Sequence, residues 1–102
     1  MPNVLTNYTS ASVGTSPATL YTVPSATTGT IVGLQIANTS ASQIAVDVQV
    51  AGVYVVKGAP IPANSALSVL DGKLVVKTTE TVVVTSDTAT SADAILSVLE
   101  QS

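Results

Sequence analysis

The chain has 102 residues and a formal net charge of −3, and only 9 % of its residues are charged, against about 25 % in a typical soluble domain. It contains no cysteine, histidine or arginine, which excludes disulfides, thiolate metal sites and catalysis by histidine. This length suits one domain, residues 1–102. Val, Thr and Ser dominate the composition, and Phe and Trp are absent. Because β-branched side chains fit a pleated surface, the composition predicts an all-β protein.

The first half of the chain alternates between apolar and polar residues, with turn residues between the alternating segments. Residues 2–13 predict an N-terminal strand or an extended arm. In the second predicted strand after it, Val32, Leu34 and Ile36 share one face, so we expect them in the core. Ala51-Gly52 predicts a hairpin turn. The predicted strands that follow the N-terminal segment are Ala18–Val23, Thr30–Asn38, Gln43–Val50 and Val53–Lys57.

The second half continues the pattern with stronger turn signals. Gly58–Ser65 contains two prolines and predicts an ordered loop or an edge segment. Asp71-Gly72 predicts a hairpin turn. The segment from Ala94 fits a strand or a short helix, and we favour a strand because everything before it is β. Further strands are predicted at Ala66–Leu70, Lys73–Lys77 and Val82–Ser86.

Eight or nine short strands at intervals of roughly 8–12 residues are typical of sandwiches, jelly rolls and small barrels. The chain shows no repeat of solenoid length and no linker. We therefore predict a single antiparallel β-sandwich of jelly-roll type.

Residues with catalytic chemistry are scarce. The acids in the loop after Val82–Ser86, Asp87 and Asp93, could hold Ca²⁺ with loop carbonyls, but a solubilising loop explains them as well. Serines and threonines are plentiful, but the chain has no histidine to activate one. We predict no catalytic residue, no cofactor and no metal site.

Nucleic acid, membranes and secretion are also poorly supported. Three lysines without arginine are too few for a nucleic-acid surface. No apolar run approaches the roughly 20 residues of a membrane-spanning helix. Met1-Pro2-Asn3 offers neither the basic nor the apolar region of a signal peptide. We expect neither a nucleic-acid partner nor membrane insertion.

So little charge would leave a free monomer few means of suppressing association, which favours a surface covered by partners. The alternative is that Ser, Thr and Asn hydrate the surface well enough. Tyrosine is enriched at interface hot spots, but the three tyrosines could equally cap the ends of the core with their hydroxyls at the surface. The proline-containing loop offers further contacts. We expect Tyr8 to be the leading contact because its segment looks least able to pack within its own domain. The candidate inter-subunit contacts are Tyr8, Tyr21, Tyr54, Pro60, Ile61, Pro62 and Asn64.

Three segments carry a family resemblance: "TLYTVPSATTGTIVGLQIANTSAS", "YVVKGAPIPANSALSVLDGKLVV" and "VVVTSDTATSADAILSVLE". Together they span most of Ala18 to Glu100. They resemble the small structural proteins of tailed bacteriophage virions, which are well represented in cyanobacterial and marine phages. The shared features are strand and turn patterns rather than a catalytic signature.

The resemblance implies a β-sandwich with a structural role in the virion, assembled in the cytoplasm of the bacterial host. Its expected partners are other virion proteins, either the major capsid protein or neck and tail proteins. We favour a capsid decoration or cement protein that forms a homo-oligomer, with a trimer favoured. The alternatives are a neck or tail component and a carbohydrate-binding module on a fibre.

Overall fold

The computed structural model describes residues 3–69 and 73–101. In these residues the chain forms an all-β protein. No helix in these residues is long and apolar enough to cross a membrane. The described residues form nine strands: β1 (Asn3–Val13), β2 (Ala18–Thr22), β3 (Thr28–Asn38), β4 (Ile44–Val50), β5 (Val53–Ile61), β6 (Ala66–Ser68), β7 (Leu74–Val76), β8 (Thr81–Ser86) and β9 (Ala92–Gln101).

The strands form two antiparallel sheets that pack together, which confirms the predicted β-sandwich. The five-stranded sheet has the order β1-β9-β3, with both β6 and β7 on the free edge of β3. The four-stranded sheet has the order β2-β8-β4-β5. Pairing is nested along the chain, since β1 pairs with β9, β2 with β8, β3 with β6 and β7, and β4 with β5.

Alternation decides which face of each strand enters the core. In β4, every second residue from Ile44 to Val50 is buried, as the sequence predicted. Among the buried residues that the structure describes, the core cluster has one aromatic ring, that of Tyr21, and otherwise consists of Val, Ile, Leu and Ala side chains. Its largest fully buried members are Ile31, Ile36, Ile44, Ile61 and Leu96.

A bulge in β3 corrects the predicted core. The register of β3 against β9 shifts between Ile31 and Gly33. Ile31, Leu34 and Ile36 are buried, whereas Val32 lies at the bulge and is 43 % exposed. The prediction for Val32 was therefore wrong, because an inserted residue changes the face that later side chains occupy.

The hairpin between β4 and β5 is confirmed. Val50 pairs with Val53, so the loop is the two residues Ala51 and Gly52. Their φ angles are +53° and +78°, the pair of positive values that a type I′ turn requires. Beyond the predicted end at Lys57, β5 continues to Ile61, so the first half of the proline-containing segment is an edge strand.

The turn predicted at Asp71-Gly72 lies outside the described residues. The strands on either side of it, β6 and β7, pair with β3 and not with each other. β6 pairs with Gln35–Ala37 and β7 pairs with Gly29–Ile31. The two strands therefore run in the same direction along β3, as two parts of one interrupted edge strand.

Both ends of the described chain are strands of one sheet. The segment from Ala94 belongs to a strand that begins at Ala92, which confirms the favoured interpretation. The predicted N-terminal segment is a strand from Asn3, and it pairs with β9 from Asn3–Gln101 through Ser10–Ala94. It is therefore an integral part of the sheet and not a detached arm.

Candidate functional site

The seven candidate contact residues fall into buried and exposed groups. Tyr21 and Ile61 are only 3 % and 0 % exposed, so they lie in the core of this fold and have almost no surface to offer a partner. Tyr8 is half-buried and packs against the core of its own protomer, which contradicts the expectation that its segment packs poorly. The exposed candidates, whose contact with another chain stays a prediction, are Tyr54, Pro60, Pro62 and Asn64.

Tyr8, Tyr21 and Glu100 form a cluster between the two sheets. The ring centroids of Tyr8 and Tyr21 lie 4.5 Å apart, with an angle of 32° between the ring planes. Both hydroxyls donate to Oε2 of Glu100, over 3.1 Å from Tyr8 and 2.6 Å from Tyr21. Because β1 and β9 belong to one sheet and β2 to the other, the cluster ties the two sheets together.

The same cluster suppresses ionisation of both tyrosines. Burial raises the pKa of Tyr21 far above its ordinary value of 10.0, and the hydrogen bond to Glu100 raises it further. The pKa of Tyr8 is raised by the same two causes in the same order. A phenolate beside a carboxylate would lose the donated hydrogen bond and add like-charge repulsion. The geometry stabilises the neutral phenols and suits a structural tie better than proton transfer.

A glycine leaves the space that the Tyr21 hydroxyl occupies. A Cβ atom at Gly29 would lie 3.3 Å from the hydroxyl of Tyr21, 3.1 Å from Cγ2 of Val76 and 3.2 Å from Cγ2 of Val98. Gly29 is also the partner of Glu100 across the β3–β9 ladder. The missing side chain therefore lets the phenol reach the carboxylate.

Tyr54 belongs to a second, exposed cluster on the β4–β5 hairpin. The ammonium of Lys57 lies 4.5 Å from the centroid of the Tyr54 ring and 3.7 Å from Oδ2 of Asp47. Oδ1 of Asp47 accepts a hydrogen bond of 2.6 Å from the backbone N–H of Gly58. Gly58 has a φ of +64°, a left-handed conformation that glycine adopts without steric cost. By accepting from the Gly58 N–H, the Asp47 carboxylate stabilises this conformation within the edge strand β5.

The five described carboxylates all bind groups of their own chain. Asp47 and Glu100 do so in the clusters above. Glu80 accepts from the N–H of Lys77 over 2.7 Å, Asp87 from that of Ala45 over 3.1 Å, and Asp93 from that of Ser12 over 2.9 Å.

The bond from Ala45, followed by that from Thr88, lowers the pKa of Asp87. For the suggested Ca²⁺ site at Asp87 and Asp93, each carboxylate is thus already bound to backbone. Within residues 3–69 and 73–101, no three or more His, Cys, Asp or Glu side chains gather in a metal-binding group.

Asn38 is a buried residue whose importance the sequence did not reveal. Its Nδ2 donates to the carbonyls of Ser42, Ile61 and Pro62 over 2.8, 2.9 and 3.1 Å. Its Oδ1 accepts from the N–H and hydroxyl of Ser40 over 2.9 and 2.7 Å. Asn38 therefore joins the loop after β3 to the end of β5, and it positions the start of the segment Pro62–Ser65.

A shallow groove of about 380 Å³ lies on the five-stranded sheet, at the end where Asp93 binds the β1 bulge. It has no aromatic side chain among its lining residues, which are Thr9, Ser10, Ala11, Gln35, Ala37, Asp93, Ala94 and Ile95. Of the tyrosines, Tyr8 and Tyr21 are bound to Glu100 and Tyr54 packs with Lys57. The groove therefore lacks the stacking platform expected of a sugar site.

No family model and no curated protein matches the chain.

Proposed function

We propose that the protein is a non-enzymatic structural protein that works by packing against neighbouring proteins. One observation carries the proposal: each of the five described carboxylates is held by a backbone N–H or a tyrosine hydroxyl of the same chain. In a chain without histidine, cysteine or arginine, carboxylates would be the first choice for acid–base chemistry. Here they stabilise turns, a bulge and the contact between sheets.

We further infer that the sandwich is of jelly-roll type. The nested pairing of strands supports this inference. If β6 and β7 are counted as one interrupted strand, the sheets have the orders 1-8-3-6 and 2-7-4-5. In this order the pairs 1-8, 2-7, 3-6 and 4-5 follow one another as one long antiparallel pair of chain segments, which lies alternately in the two sheets. Every connection between successive strands crosses from one sheet to the other, except the β4–β5 hairpin. Jelly rolls recur in viral capsid proteins and in lectins, so the inference agrees with a role in a particle.

The setting that we propose is the virion of a tailed bacteriophage, on the strength of the resemblance of Ala18 to Glu100. Within the virion we favour a decoration or cement protein that stabilises the capsid shell as a homo-oligomer, with a trimer favoured. A neck or tail component is the second candidate of the same class. A carbohydrate-binding fibre module is less favoured, because the groove beside Asp93 has no aromatic lining residue.

Quantitative mass spectrometry of purified virions from the phage that encodes the chain would test this proposal. A copy number on the order of hundreds per particle would support a decoration protein, whereas about six or twelve copies would indicate the symmetric neck or tail. Absence of the chain from intact virions would refute a structural role in the particle. Deleting residues 2–13 is not a suitable test, because β1 pairs with β9 over most of its length and its loss would damage the fold.

A further inference from the structure

The two sheets of the sandwich have four edges, and three of these carry features that hinder pairing with another chain. β2 is five residues long with a register shift inside it, and it lies between Pro17 and Pro24. β5 contains Lys57, Gly58 and Pro60 and has two register shifts. Short length, lysine, proline and bulges are the recognised ways in which proteins protect sheet edges.

The third protected edge is formed by β6 and β7. Each of these strands has only three residues, and they are separated from one another along β3. Lys73 and Lys77 flank β7 on either side. An approaching strand would meet an interrupted row of backbone groups and two exposed positive charges.

β1 is the fourth edge, and over most of its length it has none of these features. From Asn3 to Ser10 it pairs with β9 without a register shift. These eight residues include no charge and no proline. In the part of the chain that the structure describes, no strand pairs with the other side of β1. Half of its backbone N–H and C=O groups therefore form a regular, unprotected row.

The regular part of β1 has a definite end. The register shifts between Ser10 and Val13, Ser12 has a φ of +58°, and Asp93 binds the Ser12 N–H. At the opposite end Val4 and Leu5 lie on opposite faces of the strand, and they are 50 % and 71 % exposed. On both faces of the strand these two side chains are therefore exposed, and a neighbouring strand could bury them through cross-strand side-chain contacts.

We propose that the β1 edge pairs with the β1 edge of a second copy of this chain, antiparallel and about a two-fold axis. An antiparallel pair is the arrangement in which a strand can pair with itself in a closed, isologous interface. Because Asn3–Ser10 carries no charge, this pairing sets no like charges opposite each other. The product is one continuous sheet that contains the five-stranded sheets of both copies.

The chemistry of the other edges disfavours a mixed pairing. Pairing of β1 with β5 of another copy would place Pro60, which has no N–H, opposite the β1 ladder. Pairing with β7 would be limited to three residues. This inference rests on the proposed structural role, since it names a contact through which copies of the protein associate. It does not build the trimer favoured above, because an isologous β1–β1 interface joins two copies only.

Symmetry makes the proposal specific to single residues. Residues that face each other across an antiparallel pair project on the same side of the sheet. Neighbouring residues of one strand project on opposite sides, so residue i cannot face residue i+1 of the second copy. The two-fold axis must therefore pass beside one residue that faces the same residue of the second copy. The middle of Asn3–Ser10 places that residue at Thr6 or Asn7. Facing Cα atoms in antiparallel pairs lie about 4.5–5.5 Å apart, within the range that a disulfide spans.

The absence of cysteine from the chain makes a crosslinking test clean. Single variants Leu5→Cys, Thr6→Cys, Asn7→Cys and Thr9→Cys would be oxidised and separated by non-reducing electrophoresis. We expect a disulfide-linked dimer at Thr6→Cys or Asn7→Cys, with much lower yields at the positions on either side. Thr22→Cys, on the protected edge strand β2 and also exposed, is the matched control and should remain monomeric. Equal yields at all sites, or a higher yield at Thr22→Cys, would overturn the proposal.

Two solution measurements complete the test. In analytical ultracentrifugation we expect the native chain to self-associate, Asn7→Lys to be monomeric and Thr22→Lys to associate like the native chain. Alternate amides of β1 point to β9, and the amides between them point to the free edge. Hydrogen exchange should therefore show protection of successive β1 amides in the associated form, because the second copy then binds those at the free edge. A monomeric native chain, or an associated form that protects only alternate β1 amides, would refute pairing at this edge.

The outcome is separable from that of the proposed function. A chain that dimerises through β1 but is absent from virions would refute the virion role and leave this inference intact. A chain that is abundant in virions but shows no β1 crosslink would do the reverse.

Discussion

Replacing Asn38 by alanine should destabilise the protein strongly, because its side chain makes five hydrogen bonds. The substitution removes the amide that binds three carbonyls and the oxygen that binds Ser40. Of these bonds, the one to Ile61 is buried. Loss of a partner inside the protein costs about 1–3 kcal/mol because the remaining group has no water to bind.

The other groups that Asn38 binds are closer to solvent. Water can replace the amide at the carbonyls of Ser42 and Pro62 and at the N–H of Ser40, so each of these bonds should contribute only about 0.5 kcal/mol. Together with the buried bond, the expected loss is about 3 kcal/mol. In a domain of this length, one kcal/mol shifts the melting temperature by about 4–8 °C, so Asn38→Ala should lower it by about 15 °C.

Asn38→Asp provides a sharper second variant. It keeps the shape of the side chain but places a carboxylate oxygen against three carbonyl oxygens. We expect a larger loss than for alanine at neutral pH, and a partial recovery in acid, where the protonated carboxyl can again donate. Gln43→Ala, at an exposed position just before β4, is the control and should change the free energy of unfolding by less than about 0.5 kcal/mol.

Urea denaturation followed by circular dichroism measures all three variants. If Asn38→Ala costs less than about 1 kcal/mol, the carbonyls have found other partners and Asn38 does not hold the two loops together. If Asn38→Asp loses stability in acid instead of regaining it, the amide does not act as the donor.

Three further predictions concern Tyr21, Gly29 and the β4–β5 turn. Because the folded protein raises the pKa of Tyr21 above its ordinary 10.0, the contribution of Tyr21 to stability is complete below pH 10 and falls as pH rises above that value. Urea denaturation below and above pH 10 should therefore show that the free energy of unfolding depends less on pH in Tyr21→Phe than in the native chain. Gly29→Ala should cost about 1–3 kcal/mol by crowding Val76, Val98 and Tyr21, whereas Gly33→Ala, where an added Cβ meets nothing within 4 Å, should be close to neutral; equal losses would refute the crowding. Ala51→Asn should raise the melting temperature by relieving about 1 kcal/mol of left-handed strain, and an unchanged temperature would contradict the turn assignment.

Much of the fold could be predicted because its signals are local. Strict alternation from Ile44 to Val50 marks β4, and the two-residue spacing at Ala51-Gly52 marks the turn after it. These features depend only on neighbouring residues and on the two-residue period of a strand. The same reasoning placed the last segment in a strand.

The errors came from features that depend on the partner strand. The local sequence around Val32 does not predict the bulge that turns this side chain away from the core, because a bulge is defined by the register against β9. The Asp71-Gly72 pair satisfied the rule for a hairpin, but β3 is long enough for β6 and β7 to pair with it one after the other. A local turn signal cannot foresee a better partner elsewhere.

The candidate site was the hardest part to predict. Tyr8 and Glu100 are 92 residues apart, and Tyr21 and Glu100 are 79 apart. Only the nested topology brings them together. The sequence shows that aromatic and acidic residues are scarce, but not that they bind one another, so from sequence alone Tyr8 is predicted to contact a partner.

The nested pairing also constrains how the chain folds during synthesis. β9 is the central neighbour of both β1 and β3 in the five-stranded sheet, yet it is the last of the nine described strands to leave the ribosome. Until it emerges, β1 has neither of its edges paired, and Tyr8 and Tyr21 have no carboxylate to bind. Pairing of distant segments closes large loops and is slow. A β1 strand that waits this long without protecting charges can pair with other nascent copies on the same polysome, and such a copy would compete with β9 for the edge that folding uses.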